Sequence, residues 1–294
     1  MKERSVKIIS QVSLVLASVF WGSGYFISKE VINVMHPVTL VAYRMLAGGI
    51  ILGLTLLILK KNIFSNFKNG LVLGSLLVGV MLTQTVGLKL TTASNSGFIS
   101  GMFILFVPFL SYILYKRKSS PLKIVAVGVA VIGLWLLTGG VGGMNTGDVL
   151  TIFTALCSGF RITYIGEVTK KEKIDPLIVC FHQFWITGVA AILITLIMGY
   201  SLSIGGAANM YKLSYLILFP TVISFALQLS GQRHLSSVNA SLLIAFEPVF
   251  GAIFAWTLGG EKFIIMSAFG GLLIFAGMIL SEVNFKSKKE PAVQ

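Results

Sequence analysis

Apolar residues in this chain come in blocks rather than in alternation. Runs of about 18–23 apolar residues cover approximately 12–32, 38–59, 70–88, 94–115, 121–138, 148–168, 176–198, 211–231, 238–258 and 263–283. At 1.5 Å per residue, a helix of that length crosses the hydrocarbon core of a bilayer. The pattern predicts an all-α integral membrane protein with ten transmembrane helices. Connections between runs are short. The longest, around 199–210, is rich in Gly, Ser and Ala, so no soluble domain is expected. The opening MKERSVK and the run after it resemble a signal peptide, but Lys29 and Glu30 close the run without a small-residue cleavage site. It is read as a retained first helix.

The blocks repeat. Gln84, Gly87, Lys89, Thr92 and Asn95 have the spacing of Gln228, Gly231, Arg233, Ser236 and Asn239, and a proline follows each set, Pro108 and Pro248. The register slips by four residues before the prolines, about one helical turn. Five runs per copy is an odd number, so the second copy enters the membrane from the side opposite to the first. Two inverted repeats are therefore expected, 1–140 and 141–294. Inverted repeats enclosing a site are a hallmark of secondary transporters.

Composition agrees with a membrane environment: 55% of residues are hydrophobic, 11% are charged, and mean hydropathy is +0.91. The net charge of +13 lies in short clusters between the runs, which is a topology signal rather than a nucleic-acid surface. With the N terminus inside, 17 Lys and Arg fall on the inner side, from Lys2 to Lys289, against four outside: Lys29, Lys89, Lys212 and Lys262. The positive-inside rule places both termini in the cytoplasm. Cys157 and Cys180 sit within runs and behave as small apolar fillers.

WGSGYFISK (21–29), HPVTLVAYR (36–44), TTASNSGFISGMFILFVPF (91–109) and SSVNASLLIAFEPVFGAIFAWTLGGE (236–261) together resemble the drug/metabolite transporter superfamily, EamA type, over nearly the whole chain. Pro248 and Glu261 look like that family's best-known pattern. The resemblance implies ten helices as two inverted five-helix repeats around a central cavity. It also implies an exporter of amino acids or other small metabolites in the bacterial cytoplasmic membrane. One place departs from symmetry: where the first half has Tyr43 and Arg44, the second has His182 and Gln183.

Polar groups inside the runs are costly in lipid and so mark candidate cavity positions. Arg44 lies seven residues past Pro37 and His182 six past Pro176, about 10 Å deep from opposite faces. Either they contact substrate or gate at opposite mouths, or Arg44 binds helix-end carbonyls and His182 is a satisfied polar residue. Arg161 lies thirteen residues into the sixth run, with Tyr164 on the same face, and Glu247, nine residues into the ninth, is its candidate partner. That pair either fixes the bundle or lines the cavity, with Arg161 holding a carboxylate and Glu247 taking up a proton. Gln84, Gln228, Asn95, Asn239 and Gln183 are further cavity candidates, and Trp21 and Tyr25 offer an aromatic wall. Pro108, Pro220 and Pro248 free the carbonyls of Ile104, Leu216 and Ile244, as hinges or as plain kinks. Gly97 and Gly101, with the Gly48–Gly49 and Gly270–Gly271 pairs, mark close helix contacts within a bundle or between subunits.

A passive channel predicts a polar stripe or a ring of like charges, and neither is present. A membrane enzyme needs clustered ligands or a nucleophile–base set, and the three histidines, at 36, 182 and 234, form none. No Walker-type loop points to direct ATP drive. The expectation is a secondary transporter working by alternating access, without cofactor or metal. Its partners are the lipid bilayer, a small-molecule substrate and possible coupling protons.

Overall fold

A computed structural model describes residues 2–91, 93–138, 145–172, 174–258 and 263–282. All secondary structure in these residues is helical: α1 Lys2–Val31, α2 Pro37–Ile58, α3 Phe67–Leu90, α4 Ala93–Gly101, α5 Phe103–Tyr115, α6 Pro121–Thr138, α7 Thr146–Lys171, α8 Pro176–Ile197, α9 Ala207–Ile217, α10 Ser224–Gln232, α11 Ser237–Ile244, α12 Glu247–Thr257 and α13 Ile265–Glu282. A π-helical turn, Leu218–Ile223, joins α9 to α10. Taking α4–α5, α9–α10 and α11–α12 as interrupted single spans gives the ten expected crossings. Seven described helices are long and apolar enough to cross a membrane, and three shorter apolar ones accompany them. Of the positions used above, Thr92, Glu261, Lys173, Lys262 and the lysines at 286, 288 and 289 lie outside the described residues, as does the side chain of Asn95.

The spans start where the sequence supplies caps. Pro37 and Pro176 open α2 and α8 in the first turn, where a missing N–H costs nothing. His36 Nδ1 accepts from Val38 N at 3.3 Å and Asp175 Oδ1 from Leu177 N at 3.0 Å. At α7 a capping box joins Asn145 to Asp148. Outward faces stay apolar: Ile50, Leu57, Phe109, Ile132, Ile197 and Leu272 are all exposed, as a lipid-facing surface requires.

Packing joins the two halves. With the spans numbered one to ten, two joins with seven (α2 with α8) and five with ten (α6 with α13). Three packs on six and one on eight; four packs on six and one on nine. This pattern maps onto itself when each span is exchanged with the one five places later. Duplicated glycines serve duplicated contacts. A Cβ at Gly87 would lie 3.0 Å from Gly147 O of α7, and one at Gly231 would lie 2.7 Å from Ser10 O of α1. A Cβ added at Gly133 would stand 2.6 Å from Gly270 O, and one at Gly49 3.4 Å from Trp185 N. Gly97 differs from the expectation of a helix contact, since an added Cβ there would meet no described atom within 4 Å.

Polar contacts tie the helix ends at two faces. On the face of α1's N-terminus, Lys61 pairs with Asp175, Arg117 Nε with Glu167 Oε1 at 3.1 Å, and Asn69 Nδ2 donates to Glu172 Oε2 at 2.6 Å. Most of the described Lys and Arg residues outside the spans lie here, so it is called the basic face below. On the opposite face Lys212 pairs with Glu30 at 2.8 Å, and Tyr43 Oη donates to Leu202 O at 2.7 Å.

The three prolines differ from one another. Pro108 lies inside α5, which continues on both sides of it. Pro248 sits in the first turn of α12, after the chain has already left helix at Ala245 and Phe246, so it opens a helix rather than kinking one. Pro220 lies in the π turn, which absorbs the missing hydrogen bond by widening the backbone. Freed carbonyls are met by side chains. Thr221 Oγ1 donates to Leu216 O at 2.8 Å, Trp21 Nε1 to Pro220 O at 2.8 Å, and Ser18 Oγ to Ile244 O at 3.4 Å.

Candidate functional site

The interrupted spans converge on the bundle's interior, where two small cavities adjoin. The first has about 70 Å³ of room and is bordered by Arg161, Gln228, Ser100, Ser158 and Pro248. The second, about 50 Å³, is bordered by Arg44, Ser28, Thr85 and Pro220. Trp21, Tyr25, Met81, Gln84, Phe225 and Glu247 line both. Such volumes hold several waters; a solute of several heavy atoms enters only if helices move apart.

Each polar group has a traceable position. Glu247 opens α12 at the break in span nine, so a helix start carries the acid into the interior. Gln84 Nε2 donates to Tyr25 Oη at 2.7 Å, bridging α3 to α1. This leaves the Tyr25 proton to face the Glu247 carboxylate, with which it interacts. Arg161 Nη2 donates to Gln183 Oε1 at 2.8 Å, and its guanidinium carbon lies 5.1 Å from the centre of the Phe225 ring. Its Nε is buried without a partner among the described residues, as is Gln228 Oε1. Orphaned buried groups of this kind cost about 1–3 kcal/mol each, unless a ligand or water meets them. Arg44 donates from Nε and Nη2 to one acceptor, Thr221 Oγ1, at 3.3 and 3.2 Å.

A model of the EamA-like transporter family matches residues 9–139 and again 145–282. The chain belongs to the EamA-like transporter family. An Archaeoglobus fulgidus protein named as an uncharacterized transporter is 26% identical over 274 residues, 93% of this chain and 86% of the relative. The Escherichia coli K12 inner membrane transporter YedA, also named as uncharacterized, is 22% identical over 94% of this chain and 91% of its own. A crystal structure at 16% identity superposes with a TM-score of 0.77 over 95% of this chain and 96% of the other, a likeness of fold. This EamA-like protein is thus a multi-pass membrane protein of a transporter family, and its helices contact the bilayer.

In this EamA-like bundle the predicted site residues divide. Trp21, Tyr25, Arg44, Gln84, Arg161, Gln228 and Glu247 meet at the two cavities. The expected Arg161–Glu247 pair is absent: Arg161 goes to Gln183 instead. Spacing along a helix gives depth, but not which neighbour a long side chain reaches. Gln183 therefore does not border either cavity but holds Arg161 from behind, its own Nε2 donating to Val179 O at 3.3 Å. His182 lies buried toward the basic face, where Nδ1 accepts from Trp185 Nε1 at 3.1 Å and Nε2 meets Ser65 O at 3.3 Å. One ring nitrogen thus bonds within α8 and the other meets the segment just before α3, and His182 borders neither cavity. Tyr164 Oη donates to Asn69 Oδ1 at 2.8 Å near the basic face, away from the cavities. Asn239 lies in the first turn of α11, where its N–H donates to Oγ of the capping Ser236 at 3.2 Å. Cys157 and Cys180 are free and buried. Sequence reading missed Ser100, Ser158, Phe225 and Thr221. The serines look like ordinary small packing residues, but Phe225 lies four before Leu229 and three before Gln228 on α10, a spacing that signals a shared face.

Proposed function

We propose that this protein is a secondary transporter that moves a small zwitterionic or amphipathic metabolite of amino-acid type by alternating access, in the export direction. The observation that carries this reading is an interior cavity bordered by a buried cation and a buried acid that do not pair with each other. Arg161 retains an unused donor at Nε, suited to a substrate carboxylate. Glu247 and the unused Gln228 Oε1 accept hydrogen bonds from an ammonium group. Trp21 and Phe225, edge to face at 5.4 Å, supply an apolar wall. The exchange-symmetric helix contacts and the twofold family match support two inverted repeats, 1–140 and 141–294. The clustering of Lys and Arg on one face supports cytoplasmic termini. The breaks at Met102 in span four and at Ala245–Phe246 in span nine are the proposed flexing points, with the π turn at Pro220 in span eight; Pro248 adjoins the second break and Pro108 follows the first within α5.

A test is counterflow in proteoliposomes of the purified protein, screened with labelled amino acids and related metabolites. Saturable accumulation of a zwitterion is expected, and its absence for every solute removes the transport reading. Glu247 takes either a proton or an ammonium, one at a time, which couples substrate to protons by competition. Glu247→Gln is therefore expected to keep a folded protein while flattening the pH dependence of exchange. An unchanged pH profile with intact activity would exclude that coupling.

A further inference from the structure

The two cavities adjoin and share six lining residues, Trp21, Tyr25, Met81, Gln84, Phe225 and Glu247. Arg161 lies ten residues from the end of α7 on the basic face, whereas Arg44 lies seven residues from the start of α2 on the opposite face. Each chamber thus holds one guanidinium, and neither guanidinium pairs with a carboxylate among the described residues. Between them stands the Gln84–Tyr25 bridge, with Glu247 bordering both sides.

Arg44 is as deliberately placed as Arg161. Only 9% of it is exposed. Thr221 sits in the π turn at Pro220, where its hydroxyl donates five residues back to Leu216 O. That bond turns the oxygen lone pairs toward Arg44 Nε and Nη2 and fixes the guanidinium beside the second chamber. Nη1 has no partner among the described residues. Arg44 and Gln183 also occupy matching register, each seven residues past a helix-opening proline. In the first half that position carries the cation, and in the second it carries the amide that steadies the other cation. Two buried guanidinium groups around one acid leave the interior short of negative charge, which a carboxylate ligand supplies.

We propose that Arg44 is a second carboxylate station. A zwitterionic substrate keeps its ammonium on Glu247 while its carboxylate passes from Arg161 to Arg44 as the Gln84–Tyr25 bridge opens. The proposal rests on the transport reading above and adds a defined path to it.

The experiment uses full-length purified protein with three probes: L-alanine, propionate, which lacks the ammonium, and L-alaninamide, which lacks the carboxylate. Thermal stabilisation reports binding, and counterflow in proteoliposomes reports passage. Arg44→Gln is expected to retain L-alanine stabilisation through Arg161 while L-alanine counterflow falls about 10- to 100-fold. L-alaninamide is expected to stabilise neither protein. Thr221→Val, which keeps the charge but releases its hold, is expected to lower counterflow about tenfold with only a modest fall in melting temperature, from the hydrogen bonds it removes; it serves if Arg44→Gln fails to fold. Counterflow of L-alanine unchanged in the folded Arg44 and Thr221 variants overturns the second station while leaving transport in place. Loss of L-alanine stabilisation together with counterflow in the folded Arg44→Gln protein overturns it too, by showing that Arg44 is needed to hold the bundle or the first station rather than for passage. Failure of the unaltered protein to exchange any solute sinks the transport reading itself.

Discussion

Arg161→Ala is expected to lower exchange of carboxylate-bearing solutes about 100-fold, because removing one partner of a desolvated charge pair costs 2–5 kcal/mol or more. Neutral solutes of the same shape should lose far less; equal loss for both would point to a folding defect. Gln183→Glu makes the sharper test. It sets a carboxylate where the amide oxygen now accepts from Arg161 Nη2 at 2.8 Å. The guanidinium then has an internal counter-charge, and its affinity for a substrate carboxylate falls with it. Exchange should drop nearly as far as in Arg161→Ala while the melting temperature holds or rises. A variant that stays folded and exchanges normally would show that Arg161 only fixes the bundle.

The second large effect is structural. A Cβ at Gly22 would stand 2.7 Å from Gly251 N and 2.8 Å from Glu247 O. Both are backbone atoms on α12, which cannot swing aside as a side-chain tip does. Gly22→Val therefore pushes α1 away from the helix that carries Glu247. Overpacking of this kind costs about 1–3 kcal/mol, sometimes more, and little folded protein is expected in membrane extracts. Gly97→Ala is the contrast. Its Cβ would meet no described atom within 4 Å, yet Gly97 borders the first cavity. Its melting temperature should match the unaltered protein while transport falls as the passage narrows. Equal melting temperatures for Gly22→Val and the parent would contradict the close α1–α12 contact.

Much of this arrangement is legible in the sequence because a bilayer leaves few choices. Backbone polar groups must be satisfied within each segment, so run length alone gives ten crossings, most near their observed bounds, although α1 begins at Lys2, well before the apolar run that starts near position 12. Duplicated Gly87 and Gly231 could be read as close contacts because only glycine permits such approach. Azimuth was harder. Depth follows from counting residues, but the face a side chain presents follows from three-dimensional packing. Arg161 was placed at the right level and given the wrong partner. His182, Tyr164 and Asn239 are polar within or beside apolar runs, as cavity groups are, yet they border neither cavity and meet Trp185, Asn69 and Ser236 near the basic face. Two of the three prolines marked places of backbone change, but not its kind, a helix start at Pro248 and a π turn at Pro220, whereas α5 runs on through Pro108. The role of Thr221 had no signal at all, since its use depends on that π turn.

The most direct measurement asks whether solute occupies the space between Arg161 and Glu247. Ser158 borders the first cavity; Ser158→Cys, in a background with Cys157 and Cys180 replaced by serine, gives a single thiol there. Alkylation of that thiol should abolish counterflow, and a transported solute present during labelling should protect it. Rapid labelling that neither blocks exchange nor responds to solute would place the route elsewhere.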